Sequence, residues 1–407
     1  YYACMPSKAL LRPGELLAEV RRVPGLVAQG LDAEAVLARR DEVVHELDDS
    51  SQLPWLEERG VEVVRGRGKL AGERRVAVED DVLVAERAVV VATGSTSVTP
   101  LLPGLAELRP WSNREATTAR AVPASLLILG GGVVGVELAQ AWASLGSKVT
   151  VIEGGPCVLA REEPFAGEQV AAGLRELGVE IRTGVRAVAA SRGGDVRLEL
   201  DDESTVGAEE LLVAVGRRPA TNGIGLETVG LEPGKALEVG EDLRSVAYDW
   251  LYAIGDVNGR ALLTHMGKYQ ARLAADAILG KRVSLRSDGL LSPRVIFTDP
   301  QVAAVGHTLA SAQSAGLNVR AVDVETSGTA GASFVGRNAP GTSRLVVDED
   351  RRVVVGATFT GTETAELIHA ATIAVIGEVP LDTLWHAVPS FPTRSEIWLR
   401  LLESYGL

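Results

Sequence analysis

Apolar and polar positions alternate along this chain in two rhythms. Ser125 to Leu129 is a continuous apolar run of strand length, followed by a glycine-rich turn and by VELAQAWASLG, whose apolar residues recur at helical spacing. SKVTVIE then returns as a second strand, completing a strand–turn–helix–strand unit. The pattern continues with a helix over EEPFAGEQVAAGLRELG, strands at VEIRTG and VRLEL, and a closing strand at ELLVAVG. Upstream, Val61 to Glu86 has the short alternating runs of a β-meander and leads into a buried-type strand, AVVVATG. Downstream, WLYAIGD reads as another buried strand and GKYQARLAADAILG as a helix. From about Leu291 the rhythm changes to strands (RVIFTD, NVRAVDVE, TSRLVVDED, RRVVVGATFTG) framing helices at SAQSAGL and TAELIHAATIAVI, a separate α+β region. No fixed-period repeat or low-complexity tract interrupts this order.

Composition narrows the function classes. A 407-residue chain with 46% hydrophobic and 23% charged residues can bury the cores of two or three domains. Its formal charge of −13 repels phosphate backbones and anionic lipid surfaces, which argues against nucleic acid and membrane partners. The longest uncharged stretch, Ala121 to Val136, is too short and too broken by Pro123 and glycines to span a bilayer. No secretory leader is legible, so the cytoplasm is the expected compartment. Cys4 and Cys157 cannot build a disulfide framework, and no metal-ligand spacing surrounds them.

The glycine turn carries the first chemistry. Gly130, Gly132 and Gly135 form G-x-G-x-x-G between strand and helix. The first allows the tight turn, the second lets a pyrophosphate approach the backbone, and the third lets helix and strand pack closely. The helix N-terminus offers unpaired N–H groups to phosphate. Glu153 closes the next strand, where a carboxylate can accept hydrogen bonds from a ribose 2′-OH and repel a 2′-phosphate. Gly154, Gly155 and Pro156 follow it rather than arginines, so NAD(H) is favoured over NADP(H). An ordinary turn with a surface acid is the bland alternative.

Several segments in a fixed order resemble the pyridine nucleotide-disulfide oxidoreductases, the FAD-dependent family of dihydrolipoamide dehydrogenase, glutathione reductase and mercuric reductase. They are Cys4-Met5-Pro6-Ser7-Lys8 at the start of an amphipathic segment, VVVATGS (Val89–Ser95), GGGVVGVE, VAVGRRPAT (Val213–Thr221), LYAIGDV (Leu251–Val257), FTDPQVAAVG (Phe297–Gly306) and PTRSE (Pro392–Glu396). The resemblance implies an α/β fold with two Rossmann-like nucleotide-binding domains, for FAD and NAD, and a C-terminal α+β dimerisation domain. The FAD domain would be assembled from 1–122 and 246–288, with the NAD domain at 123–245 and the interface domain at 289–407. A homodimer follows, in which the C-terminal motif is lent to the partner's active site.

Residue by residue, the resemblance makes Cys4 the flavin-proximal member of a cysteine pair. Its alternative is a small buried hydrophobe, although the start of a helix before Pro6-Ser7-Lys8 is the electropositive setting reactive thiols occupy. Cys157 has no such context. Lys8 and Glu137 match the pair beside the flavin N5; alone they would be a solvated lysine and a helix-surface acid. Asp256 matches the carboxylate that holds the ribityl chain, or else caps a helix. Thr93 and Gly94 match the first flavin-contact segment, and Gly216 and Arg217 the exit from the nucleotide domain. Glu396 matches the acid that orients a catalytic histidine, but Phe391 stands where that histidine belongs. His386 lies five residues too early and is more readily an interface histidine. The cysteine expected five residues before Cys4 falls before Tyr1. The chain also opens without an initiator Met and without the family's first FAD-binding strand and glycine turn, so upstream sequence is expected. Electrons would pass from NADH through FAD to the cysteine pair or to an external small-molecule or protein acceptor. The rivals are a reductase or transhydrogenase without disulfide chemistry, delivering to a quinone, a metal or a nucleotide, and a catalytically silent relative.

Overall fold

In a computed structural model, which describes residues 1–337 and 339–407, the apolar run Ser125–Leu129 becomes the inner strand of a four-stranded parallel sheet. Its neighbours are Glu210–Val213 on one side and Lys148–Glu153, followed by Glu180–Thr183, on the other. A parallel strand covered on both faces has no polar side to show, which is why Leu126, Leu127, Ile128 and Leu129 are all buried. Leu126 and Ile128 pack with Val136 and Trp142 of the Val133–Ser144 helix and Leu174 of the Pro164–Glu176 helix. Leu127 and Leu129 face a three-stranded antiparallel sheet whose alternating VRLEL strand turns Val196, Leu198 and Leu200 inward. The Cys4–Arg22 helix joins the first of these cores through Leu10 and Leu11. Gly14 lets it approach the Val133–Ser144 helix, since a Cβ there would lie 2.7 Å from Ser144 Oγ.

The same compact unit, made of Tyr1–Glu46, Thr99–Gly216 and Pro293–Leu407, contains a five-stranded antiparallel sheet. Its order is Arg294–Ile296, Gln301–Gly306, Val353–Gly361, Thr342–Asp348 and Val319–Glu325. Val353–Gly361 is buried at every position, as the central strand. The Glu396–Tyr405 helix folds back, with Trp398 edge-on to Phe359 at 6.0 Å between ring centroids.

The second unit, Leu47–Val98 with Arg217–Ser292, has three small sheets. They are an antiparallel meander of Gly68–Leu70, Arg75–Val78 and Asp81–Val84, a parallel pair of Val89–Val91 with Leu251–Ala253, and an antiparallel pair of Ser95–Ser97 with Arg217–Pro219. Its core gathers Leu226, Leu243, Trp250, Leu251 and Val257, beside the Thr264–Ile278 helix.

The structure corrects several sequence expectations. The meander starts at Gly68, and Val61, Val63 and Val64 before it are exposed. In the AVVVATG segment the strand covers Val89–Val91, with Val91 buried and Val90 40% exposed. RVIFTD is a strand only to Ile296, after which the chain turns at Pro300 into a separate strand. The helix expected at SAQSAGL begins earlier, at Leu309, because the Thr308 side chain accepts the Ser311 N–H and caps it. TAELIHAATIAVI splits into a turn at Thr364–Glu366 and a helix at Ile368–Ile376. The Ala33–Val43 helix, capped by Asp32, is an element the apolar pattern does not announce.

Candidate functional site

The glycine turn is built as its spacing suggests. Gly130 has φ +105°, and a Cβ there would sit 2.5 Å from Ala214 O. Gly135 is tighter still, with a Cβ falling 1.9 Å from Gly130 O, so the helix can start only if this position has no side chain. Gly132 occupies the helix N-cap with open space around its Cα and no side-chain cap, leaving the first-turn N–H groups directed outward. Glu153 is held from both sides: Oε2 accepts the Gly131 N–H at 2.6 Å and Oε1 the Gly155 N–H at 2.6 Å. A carboxylate has about four lone-pair positions, so capacity remains for ribose hydroxyls. That this acid also ties down the turn was not legible from spacing.

Cys4 is exposed at the first residue of its helix, where the positive end of the helix dipole acts on it. One turn on, Lys8 Nζ lies 2.7 Å from Glu137 Oε2 and 3.3 Å from Ser7 Oγ. Glu137 is 4% exposed, and its other oxygen accepts the Phe297 N–H at 3.0 Å. The Phe297 ring lies under the ammonium, 4.9 Å from Nζ to its centroid. The carboxylate therefore fixes the lysine from the nucleotide-turn helix.

Gln140, Arg22 and Asp299, none of them marked individually by a motif, complete this arrangement. Gln140, one turn beyond Glu137, accepts the Asp299 N–H at 2.6 Å. The Asp299 carboxylate takes a fork from Arg22 at 2.9 and 2.6 Å. The Cys4–Arg22 helix is thus fastened near both ends to one segment, Phe297–Asp299. Midway, the buried Glu15 pairs with Arg12 and accepts from Gln301.

In the second unit, Thr93 Oγ1 donates to Ala220 O at 2.8 Å, and Gly94, at φ +75°, accepts the Ala220 N–H at 2.9 Å. Asp256 Oδ2 accepts from Ser95 Oγ at 2.5 Å and from Arg217 Nη1 at 3.0 Å, while Arg217 Nη2 donates to Leu262 O at 2.7 Å. Asp256 lies inside the Gly255–Asn258 turn, whose N-cap is Ile254, so it is not a helix cap. A buried Gln270 fixes that turn, its Oε1 accepting the Gly255 N–H at 2.7 Å and the Asn258 amide at 2.9 Å. Gly216, assigned to the first unit, has φ +147°.

Glu396 starts the last helix and accepts the Gly331 N–H at 2.9 Å. His386 is exposed, and among the described residues no ion pair joins it to Glu396. Phe391, before Pro392, is 77% exposed. Cys157 is half-buried in the loop after Glu153. Among the described residues, no group of His, Cys, Asp and Glu side chains could hold a metal ion, and no helix is long and apolar enough to cross a membrane.

A parallel sheet with an uncapped, glycine-framed helix N-terminus and a fixed acid beside it defines a dinucleotide-binding α/β protein. The family model described as pyridine nucleotide-disulphide oxidoreductase matches residues 1–276, and that of its dimerisation domain matches 292–401; the chain belongs to this family. The family is one of FAD-dependent oxidoreductases that use a pyridine nucleotide. A mercuric reductase of Bacillus cereus is 29% identical over 405 residues, 97% of this chain but 63% of the relative's own length. Dihydrolipoyl dehydrogenase of Pseudomonas aeruginosa is 31% identical, covering 97% of this chain and 86% of the relative. Among solved structures, LpdA of Mycobacterium tuberculosis superposes with a TM-score of 0.87 at 26% identity, over 100% of this chain and 90% of that one. The HOCl-induced flavoprotein disulfide reductase RclA of Escherichia coli shares the fold, with a TM-score of 0.86 at 24% identity over 98% and 89%.

Proposed function

We propose that this protein is an FAD-dependent oxidoreductase that takes electrons from a nicotinamide dinucleotide, NADH in preference to NADPH, and passes them to a cysteine pair that includes Cys4 or to an external acceptor. The observation that carries the reading is the 2.7 Å ion pair between Lys8, on the Cys4 helix, and Glu137, on the nucleotide-turn helix. It joins a candidate redox element to a candidate nucleotide element through one buried carboxylate.

The donor sets suit both groups. An uncapped helix N-terminus beside an open glycine fits a pyrophosphate, and Glu153 fits a ribose diol. The Asp256 carboxylate with Ser95 and Thr93 offers acceptors and hydroxyls for a polyol chain. When bound, the flavin supplies two-electron acceptance from the nicotinamide and release to the acceptor. The residues supply the surroundings. Lys8, held by Glu137 and the Phe297 ring, keeps a positive charge fixed where negative charge develops, and this needs no reorganisation during turnover. Glu153 places negative charge against a 2′-phosphate. Within this reading the FAD domain comprises 1–122 and 246–288, with the nucleotide domain at 123–245 and the interface domain at 289–407.

Phe391 favours an acceptor other than a disulfide, such as a quinone, a metal ion or a second nucleotide, because a phenyl ring cannot deliver the proton a leaving thiolate needs. The test is steady-state kcat/KM with NADH and NADPH on the FAD-loaded protein, against a panel of disulfide and non-disulfide acceptors. NADH oxidation with a clear preference over NADPH supports the reading. A preference for NADPH overturns the nucleotide assignment, and an FAD-loaded protein, its upstream segment restored, that oxidises neither nucleotide supports the silent alternative.

A further inference from the structure

The acid that ends the Lys148–Glu153 strand has a cation for a neighbour that arrives from a distant part of the sequence. A Cβ built on Gly154 would lie 3.0 Å from Arg186 Cγ, 3.1 Å from its Nε and 3.5 Å from its Cδ. The arginine stem is therefore laid across the backbone immediately after Glu153, and glycine at 154 is what leaves room for it. Backbone hydrogen bonds hold this approach. Gly184 N–H donates to Gly155 O at 2.7 Å and Val185 N–H to Glu153 O at 3.3 Å. Arg186 N–H donates to Asp201 Oδ1 at 2.9 Å, and Asp201 N–H returns to Arg186 O at 2.9 Å. The side chain is exposed, and among the described residues its guanidinium enters no ion pair. Glu153, by contrast, cannot swing aside without releasing two N–H donors.

One strand end thus presents a fixed negative charge and an uncommitted positive one. We propose that Arg186 is a specificity-determining residue of the nucleotide site. Its guanidinium covers the adenosine end and meets a 2′-phosphate when one is present, so that the discrimination Glu153 sets against NADPH is partial. The inference rests on reading this turn as a pyridine nucleotide site. Guanidinium pairs with phosphate through charge-assisted, frequently bidentate bonds, and its contribution should depend on the 2′ substituent alone.

The experiment measures binding of 2′,5′-ADP and 5′-AMP to the FAD-loaded protein by titration calorimetry, for the wild type, Arg186→Leu and Arg186→Lys. Leucine keeps apolar packing over Gly154 without charge, and lysine keeps charge without the fork. Arg186→Leu should weaken 2′,5′-ADP by about tenfold or more and leave 5′-AMP within about twofold, with Arg186→Lys between. If the leucine variant does not fold, Arg186→Gln takes its place. Equal losses for both ligands, or none for 2′,5′-ADP, overturn the role of Arg186 while leaving the site reading in place. A wild type that binds neither ligand, nor NAD or NADP, overturns the site reading and this inference with it.

Discussion

Glu153 combines two tasks in one side chain, and substitutions separate them. As an acceptor for the Gly131 and Gly155 N–H groups it holds the turn, and in the nucleotide site proposed above its negative charge opposes a 2′-phosphate. Glu153→Gln keeps one oxygen acceptor and removes the charge. It should cost about 1–3 kcal/mol of stability through the N–H group left unpaired, seen in urea unfolding. Glu153→Arg should narrow the NADH preference in kcat/KM further, at a larger stability cost. Away from the site, His307 supplies a pH test. Burial lowers its pKa from the usual value, and Nδ1 lies 3.0 Å from Ser311 Oγ. Its neutral form is therefore favoured in the folded state. Above the unfolded-state value, near about 6.5, both states are neutral and the residue makes no difference. As pH falls through that value the unfolded chain takes up the proton first, and stability drops until the depressed folded-state pKa is passed. Melting temperature measured between pH 8 and pH 5 should fall more steeply for the wild type than for His307→Gln; parallel curves would remove this account.

Secondary-structure elements carry their own tests, and they show what a sequence can and cannot disclose. Gly135→Ala places a methyl carbon 1.9 Å from Gly130 O. Backbone must move, so we expect a loss of roughly 1–3 kcal/mol or more together with weaker nucleotide binding. The fork between Arg22 and Asp299 is nearly buried, with side-chain exposures of 17% and 11%. Arg22→Ala should cost roughly 2–4 kcal/mol, and a double-mutant cycle with Asp299→Ala should recover much of it as coupling; additive effects would mean the helix is held elsewhere. The strand, glycine turn and helix around Gly130 were legible because their signal is local: an apolar run, glycines at fixed offsets, and helical periodicity within thirty residues or so. The Gln301–Gly306 strand was hidden because Pro300 and the preceding TD interrupt the apolar run. The Ala33–Val43 helix was hidden because its arginines and acids blur the periodicity, and Arg40 is itself buried. The pairing of Lys8 with Glu137 could be anticipated only through the order of motifs. Arg22 with Asp299, Gln140 with the Asp299 N–H, and Arg186 over Gly154 had no signal at all, because tertiary folding brings together residues whose spacing follows no rule.

At the scale of the whole molecule, the region matched as a dimerisation domain carries exposed apolar side chains at Ile373, Trp385, Val388 and Phe391. We expect a homodimer, checked by light scattering on the eluted protein. Phe391 then matters twice, as apolar surface and as the residue at the position where the resemblance leads one to expect a catalytic histidine. Thiol–disulfide exchange needs thiolate attack and a proton for the leaving sulfur, so an acid poised near neutral pH must reach the dithiol. Imidazole fills that role and a phenyl ring does not. General acid–base contributions of about 10²–10⁴-fold correspond to roughly 3–5 kcal/mol of barrier. The protein should therefore be slow with lipoamide-like and glutathione-like disulfides while its reduction by NADH remains fast. Stopped-flow measurement separates the two half-reactions. Phe391→His should raise disulfide turnover without changing the NADH half-reaction, provided Glu396, now bonded to the Gly331 N–H, turns to orient the new ring. Fast lipoamide turnover by the unmodified protein would refute the argument and direct attention to the exposed His386, whose replacement by Ala should then abolish that activity.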